Sequence, residues 1–125
     1  MLKTLLYIGA GSFLGGAARY GLSRWIQPRA EGAFPIGTLA VNLAGCLLIG
    51  LLYGWFARGH ITDPALRAGL AAGFCGGLTT FSSFAAEGLS MFHCGHFLSL
   101  AAYATLSFAL GLCMVYLGQM LARGV

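Results

Sequence analysis

Small and hydroxylated residues interrupt an apolar stretch of this 125-residue chain at positions 73–84, which read Gly-Phe-Cys-Gly-Gly-Leu-Thr-Thr-Phe-Ser-Ser-Phe. Gly76 and Gly77, followed by the β-branched Thr79 and Thr80, have poor helix propensity, so the sequence predicts that a helix unwinds here. Carbonyls freed inside a membrane need partners, and a hard monovalent cation could bind several of them. The alternative is a kink repaired by the threonine hydroxyls, and the spacing leaves both interpretations open.

Phe81 and Phe84 are three residues apart, so a helix that resumes after the break would present both rings on one face, beside Ser82 and Ser83. Phenylalanines at this spacing usually pack in a core. The edge of a phenyl ring is electropositive, however, and rings presented edge-on could solvate a small anion without trapping it. The residues alone do not choose between these two roles.

Few other polar side chains lie within the apolar stretches. Asn42 could hydrogen-bond to a neighbouring helix or to a passing anion. Tyr103 and Ser107 are one helical turn apart and could form a ladder of hydroxyl donors, although Tyr103 could equally anchor at the membrane interface. Arg19 could snorkel or concentrate anions at a pore mouth, and Glu87 needs a partner or a wet vestibule to stay ionised.

The composition predicts an integral membrane protein. Hydrophobic residues make up 58% of the chain and charged residues 8%, and the mean hydropathy is +0.83. The net charge of +4 comes from basic residues scattered near segment ends, which indicates anchoring to lipid headgroups rather than nucleic-acid binding. The cysteines have neither disulfide nor zinc spacing and are predicted to be small core residues; they are Cys46, Cys75, Cys94 and Cys113.

Four apolar blocks are long enough to cross a bilayer, and they occupy residues 2–25, 36–57, 65–89 and 97–121. The connections between them contain proline, glycine and charged residues, including Pro28 and Arg29 in the first loop and a helix start at Thr62-Asp63-Pro64. Because the connections are short, we expect neighbouring helices to be antiparallel and residues 1–125 to form a single domain.

The loop charges only weakly specify an orientation. The basic residues expected on the side of the termini are Lys3, Arg58, Arg67 and Arg123. Those on the opposite side are Arg24, Arg29 and, if it reaches that interface, Arg19. A balance this close permits insertion both ways, and hence an antiparallel dimer, although a single orientation remains the alternative.

Glycines recur four residues apart, a spacing that lets helix backbones approach closely. The pairs are Gly11 and Gly15, Gly50 and Gly54, Gly69 and Gly73, and Gly73 and Gly77. Because four spans enclose little volume, these small-residue faces favour oligomerisation.

Three segments together resemble the signature blocks of the Fluc, or CrcB-type, fluoride channels of microbes. They are residues 15–20 (Gly-Gly-Ala-Ala-Arg-Tyr), 37–45 (Gly-Thr-Leu-Ala-Val-Asn-Leu-Ala-Gly) and 73–84. The resemblance covers essentially the whole chain, and its third block is the most specific. It implies an all-α membrane protein of four transmembrane helices, the third broken near its middle, that forms an antiparallel, dual-topology homodimer in the cell inner membrane.

The resemblance also implies a fluoride-selective channel that exports cytoplasmic fluoride passively, with two pores per dimer and a structural sodium ion. The backbone carbonyls of Gly76 and Thr79 would hold the sodium, and Arg19 and Glu87 would lie in the vestibule. The residues implied for the fluoride pathway are Asn42, Phe81, Phe84, Ser83, Tyr103 and Ser107. This chain has Ser83 where many relatives carry threonine, and Gly111 where some continue the polar track.

The chief alternative is a small dual-topology, proton-coupled multidrug exporter. Such a transporter needs a titratable carboxylate, usually in its first span; residues 2–25 contain none, so Glu87 would have to serve. A scaffold that transports nothing is a second alternative. An enzyme is least expected, because the sequence has no nucleophile–base pair or metal cluster at membrane depth and no P-loop.

Overall fold

The computed structural model describes residues 1–27 and 34–124, and in these residues the secondary structure is entirely helical. The elements are α1 (Leu2–Ile26), α2 (Ile36–Ala57), α3 (Pro64–Ala68), a π-helical segment (Gly69–Cys75), α4 (Gly76–Leu78), α5 (Ser82–His93) and α6 (Phe97–Arg123). The all-α prediction is confirmed for this part of the chain. Three predicted blocks match α1, α2 and α6 to within two residues, whereas Pro28 and Arg29 of the predicted first loop lie outside the described residues.

The predicted helix start at Asp63-Pro64 is confirmed. Asp63 is the N-cap of α3, and its Oδ1 accepts a hydrogen bond of 3.1 Å from the Ala65 N–H. Pro64 occupies the first turn, where its missing N–H costs nothing. The other carboxylate oxygen of Asp63 lies 3.2 Å from Lys3 Nζ, so this cap also connects α3 to the beginning of α1.

Helix α1 packs against the continuous helical stretch 64–78, and glycines in both elements allow their backbones to approach closely. A Cβ atom on Gly11 would collide with the Gly69 carbonyl oxygen, and one on Gly73 would lie 2.8 Å from the Ile8 carbonyl oxygen. Real side chains do not fit at such separations, so the two backbones can touch only because these residues are glycine.

Helices α2 and α6 make the second close pair. A Cβ atom on Gly50 would collide with the Val115 carbonyl oxygen, and one on Gly118 would collide with the Leu47 carbonyl oxygen. The glycine pairs singled out in the sequence therefore pack within one chain. Contrary to our interpretation of the sequence, they do not by themselves indicate a partner subunit.

A buried hydrophobic cluster joins α2, α5 and α6 and consists of Leu39, Met91 and the fully buried Tyr103. Most large apolar side chains instead face outward, as the 75% exposure of Phe13 and the 86% exposure of Leu98 illustrate. Such a surface suits a lipid environment. Cys94, which follows α5, and Cys113, in α6, are exposed. The prediction that all four cysteines are core residues is therefore wrong.

Among the described helices, two are both long and apolar enough to cross a membrane, Ile36–Ala57 and Phe97–Arg123. At 25 residues α1 is also long enough, but it is less apolar. The third predicted span, residues 65–89, corresponds to the stretch 64–93, which is divided into shorter helical elements.

Candidate functional site

In the third predicted block, α4 ends at Leu78 and α5 begins at Ser82. Thr79 has an extended backbone, with φ −92° and ψ 157°. Gly76 and Gly77, where the sequence predicted unwinding, remain helical, and the non-helical residues are 79–81. Low helix propensity at the glycine pair is overridden by the close packing of Gly77 on α1.

Asn42 of α2 supports the non-helical residues by pairing with the backbone of Thr80. Its Nδ2 donates to the Thr80 carbonyl at 3.1 Å, and its Oδ1 accepts from the Thr80 N–H at 2.8 Å. In a continuous α-helix the Thr80 N–H would instead bond to the Gly76 carbonyl. Asn42 is therefore a bridge between helices in this chain, and it leaves Gly76 without its usual helical donor.

The threonine hydroxyls also bond to the backbone here. Thr79 Oγ1 donates to the Cys75 carbonyl at 2.9 Å, and Thr80 Oγ1 accepts from the Ser83 N–H at 3.2 Å. In a continuous helix the Ser83 N–H would bond to the Thr79 carbonyl. The repair by threonine hydroxyls, which the sequence left open, therefore occurs. It also diverts the Ser83 N–H, so the Thr79 carbonyl lacks its usual helical donor.

An open groove of about 460 Å³ lies beside residues 79–81. Six of the ten residues that the sequence predicted for the site line it, namely Asn42, Gly76, Thr79, Phe81, Phe84 and Ser107. The Phe81 and Phe84 ring centroids are 5.8 Å apart with an interplanar angle of 47°, and Phe81 is 79% exposed. Ser107 Oγ is buried and has no hydrogen-bond partner among the described residues, so it is a polar atom that the fold leaves unsatisfied.

Glu87 and Tyr103 lie outside that groove and bond to each other. Glu87 Oε1 accepts the Tyr103 hydroxyl at 3.0 Å, and Oε2 accepts the Thr38 hydroxyl at 2.9 Å. The Tyr103 ring in turn contacts the Phe84 ring, with centroids 4.9 Å apart. Glu87 and Thr38 also line a separate pocket of about 320 Å³, which Arg24 shares.

Arg19 bonds to the backbone of the helical stretch rather than to an acidic partner. Its Nε donates to the Gly77 carbonyl at 3.0 Å. Sequence reasoning missed this contact, the role of Thr38, and the pairing of Asn42 with the Thr80 backbone. The only available signal for Thr38 was its position one turn before Asn42 on the same helix face.

Gly76 and Thr79 could hold a cation by the chemistry of their donors. Both line the groove, and the amide that each carbonyl would meet in a continuous helix is bonded elsewhere. Carbonyl oxygens are hard ligands that suit hard, small cations. The residues present therefore fit a sodium ion.

Comparison with known proteins identifies relatives along nearly the whole chain. The family model described as "CrcB-like protein, Camphor Resistance (CrcB)" matches residues 6–119. The chain is 41% identical to a protein of Pseudomonas fluorescens (strain SBW25), over 98% of this chain and 99% of the relative. It is 43% identical to a protein of Chlorobium phaeobacteroides (strain BS1), over 95% of this chain and 92% of the relative. Both relatives carry the name "Fluoride-specific ion channel FluC".

Proposed function

Since the chain belongs to the CrcB-like family, we propose that it is a fluoride-selective channel through which cytoplasmic fluoride leaves passively across the cell inner membrane. The resemblance inferred from the sequence is confirmed by the family match, and the relatives' name is that of an ion channel rather than an enzyme. The observation that carries the proposal is the groove in which the unsatisfied Ser107 hydroxyl shares walls with Phe81 and Phe84.

Fluoride is small and strongly hydrated, so a pore must replace its water with several donors yet bind it weakly enough to release it. Asn42 uses one N–H of its amide on Thr80 and has a second to offer. Ser107 can donate its hydroxyl, and the phenyl rings can offer their positive edges. No lysine or arginine is among the residues that line this groove in the described part of the chain, so no fixed cation would trap the anion.

Ser83 and Tyr103 complete the proposed pathway, with Arg19 and Glu87 towards its mouth. The Tyr103 hydroxyl is donated to Glu87, so Tyr103 would act through its ring, which contacts Phe84. A membrane potential negative inside drives an anion outward by about 2.3 kcal/mol per charge per 100 mV. Export down this gradient needs no coupled energy source.

The full proposal is a multi-pass, antiparallel, dual-topology homodimer with two pores and a sodium ion between the subunits. Two observations support it: the near balance of loop charges and the exposure of Phe81 and Phe108, at 79% and 72%, beside the open groove. A second copy covering this face would enclose the groove. Bound sodium would supply positive charge that holds the Gly76 and Thr79 carbonyls of both subunits.

A proton-coupled multidrug exporter remains the alternative function, and Glu87 argues against it. An exporter needs a carboxylate that exchanges protons and substrate, whereas both oxygens of Glu87 accept hydrogen bonds from side chains of α2 and α6. That arrangement indicates a structural and electrostatic role rather than a carrier of protons.

The deciding experiment is anion efflux from liposomes that contain the purified protein, with empty liposomes as the control. We expect rapid release of fluoride, retention of chloride, and rates that do not change when a proton gradient is imposed. Equal release of chloride, or no release of fluoride, would overturn the proposed function.

A further inference from the structure

Arg19 lies half-buried on α1, and its guanidinium bonds to a carbonyl between the two proposed sodium ligands. The bond joins Arg19 Nε to the Gly77 carbonyl oxygen at 3.0 Å. Gly77 follows Gly76 and precedes Thr79 by two residues. The contact therefore falls inside the segment that would hold the cation.

Close packing of glycines brings Arg19 to this position. A Cβ atom on Gly77 would lie 2.7 Å from the Ser12 carbonyl oxygen and 2.9 Å from the Gly16 nitrogen. Arg19 follows Gly16 by three residues, on the same side of α1. The guanidinium thus reaches Gly77 from a helix that cannot move closer or rotate freely.

The carbonyls of this segment have different partners. The Thr80 N–H, which would normally serve Gly76, bonds to Asn42, and the Ser83 N–H, which would normally serve Thr79, bonds to the Thr80 hydroxyl. The Gly77 carbonyl instead accepts the charged Arg19. Hydrogen bonds from an ionised donor are roughly twice as strong as neutral ones, so this carbonyl is firmly held.

We propose that Arg19 is a positioning residue for the cation site: it holds the Gly77 carbonyl and thereby fixes the backbone that presents Gly76 and Thr79. This inference rests on the proposed function and extends it. The bond gives Arg19 a role beyond the concentration of anions at a pore mouth. It also makes the sodium affinity of the protein depend on a side chain of α1 that is not itself a ligand.

The sign of the effect separates positioning from simple electrostatics. A guanidinium repels a nearby cation, so if only its charge acted, removing it would tighten sodium binding. If Arg19 positions the carbonyls, removing it loosens them and weakens sodium binding. The two roles therefore predict opposite changes in the same measured quantity.

The test is a sodium titration of the thermal unfolding temperature of the purified protein, at constant ionic strength with choline as the replacement cation. For Arg19→Gln we expect the half-saturating sodium concentration to rise about tenfold or more. Arg24→Gln is the matched control, because it removes the same charge from the same end of α1 without contacting Gly77. Its sodium response should equal that of the wild type.

An unchanged or tighter sodium response in Arg19→Gln would overturn the inference. If Arg19→Gln does not fold, Arg19→Lys decides, since lysine keeps the charge but lacks the planar guanidinium donor. Positioning predicts several-fold weaker sodium binding in the lysine variant, and a pure charge role predicts no change.

Wild-type fluoride efflux is measured on the same preparation, so that the two proposals can fail separately. Absence of fluoride release from wild-type liposomes overturns the proposed function. Fluoride release together with a wild-type protein that sodium does not stabilise overturns the sodium site and this inference. If the wild type releases fluoride and is stabilised by sodium, but Arg19→Gln responds to sodium as the wild type does, only this inference is overturned.

Discussion

Asn42 and Thr80 exchange two hydrogen bonds, so that one side-chain amide satisfies both the N–H and the carbonyl of a residue outside the helices. The pairing connects α2 to residues 79–81, and the Asn42 amide donates and accepts there as a peptide group would. It gives Asn42 a structural task that coexists with its proposed contact to fluoride.

Replacing Asn42 with aspartate should abolish most fluoride transport. A carboxylate cannot donate to the Thr80 carbonyl, and its charge would repel the permeant ion. We expect fluoride efflux from liposomes to fall at least about tenfold. The control is Cys46→Ser, one turn along α2 in the same groove, which adds no charge and should conduct. Normal conduction by Asn42→Asp would contradict the placement of this side chain on the pathway.

Phe81→Ile should reduce fluoride efflux without reducing stability. Because Phe81 is 79% exposed in the chain, its loss should change the unfolding free energy of the subunit by less than about 0.5 kcal/mol. An aliphatic side chain has no electropositive ring edge, so we expect efflux to fall about tenfold.

The control for Phe81→Ile is Phe13→Ile, which alters a ring of similar exposure, 75%, on α1 away from the groove. Its efflux rate should match the wild type. Wild-type efflux in Phe81→Ile would contradict the placement of this ring on the fluoride pathway. Phe84→Ile is a less clean test, because Phe84 also packs against Tyr103.

Glu87→Gln should leave fluoride transport intact and independent of proton gradients while weakening the fold. The amide keeps only one acceptor for the two hydroxyls of Thr38 and Tyr103, so we expect a loss of about 1–2 kcal/mol in unfolding free energy. Efflux is measured with and without an imposed pH difference. Wild-type transport that requires such a gradient, and that Glu87→Gln eliminates, would favour the exporter.

Alanine should destabilise the protein at one of two nearby glycines of α1 and not at the other. In Gly11→Ala the new methyl group would meet the Gly69 carbonyl oxygen, so the helices must separate at a cost of about 1–3 kcal/mol. At Gly9 no atom lies within 4 Å of the place that a methyl group would take, and Gly9→Ala should be neutral or stabilise by up to about 1 kcal/mol. Unfolding of both variants in detergent gives the comparison; equal losses would mean that the close approach is not the cause.

Local patterns predicted the elements well. Apolar runs and their flanking residues placed α2 at its observed bounds and a helix start at Thr62-Asp63-Pro64, because both depend on nearby sequence. The position of the non-helical residues was predicted less well. Propensity pointed to Gly76 and Gly77, but packing against α1 keeps them helical.

The partners of the site residues could not be predicted from the sequence alone. Asn42 meets Thr80 38 residues away, and Arg19 meets Gly77 58 residues away. Such pairs depend on how whole helices dock. The sequence identified which side chains would need partners, and only the fold determines whether each receives one from the protein.

The π-helical segment Gly69–Cys75 makes the spacing of this chain unusually sensitive to insertions and deletions. Each residue of an α-helix turns the chain by about 100°, so one residue lost from this segment would rotate everything after it relative to α1. The Gly76 carbonyl would then point away from its groove even though every side chain of the site was still present. Insertions and deletions should therefore be tolerated in the loops and not in this segment.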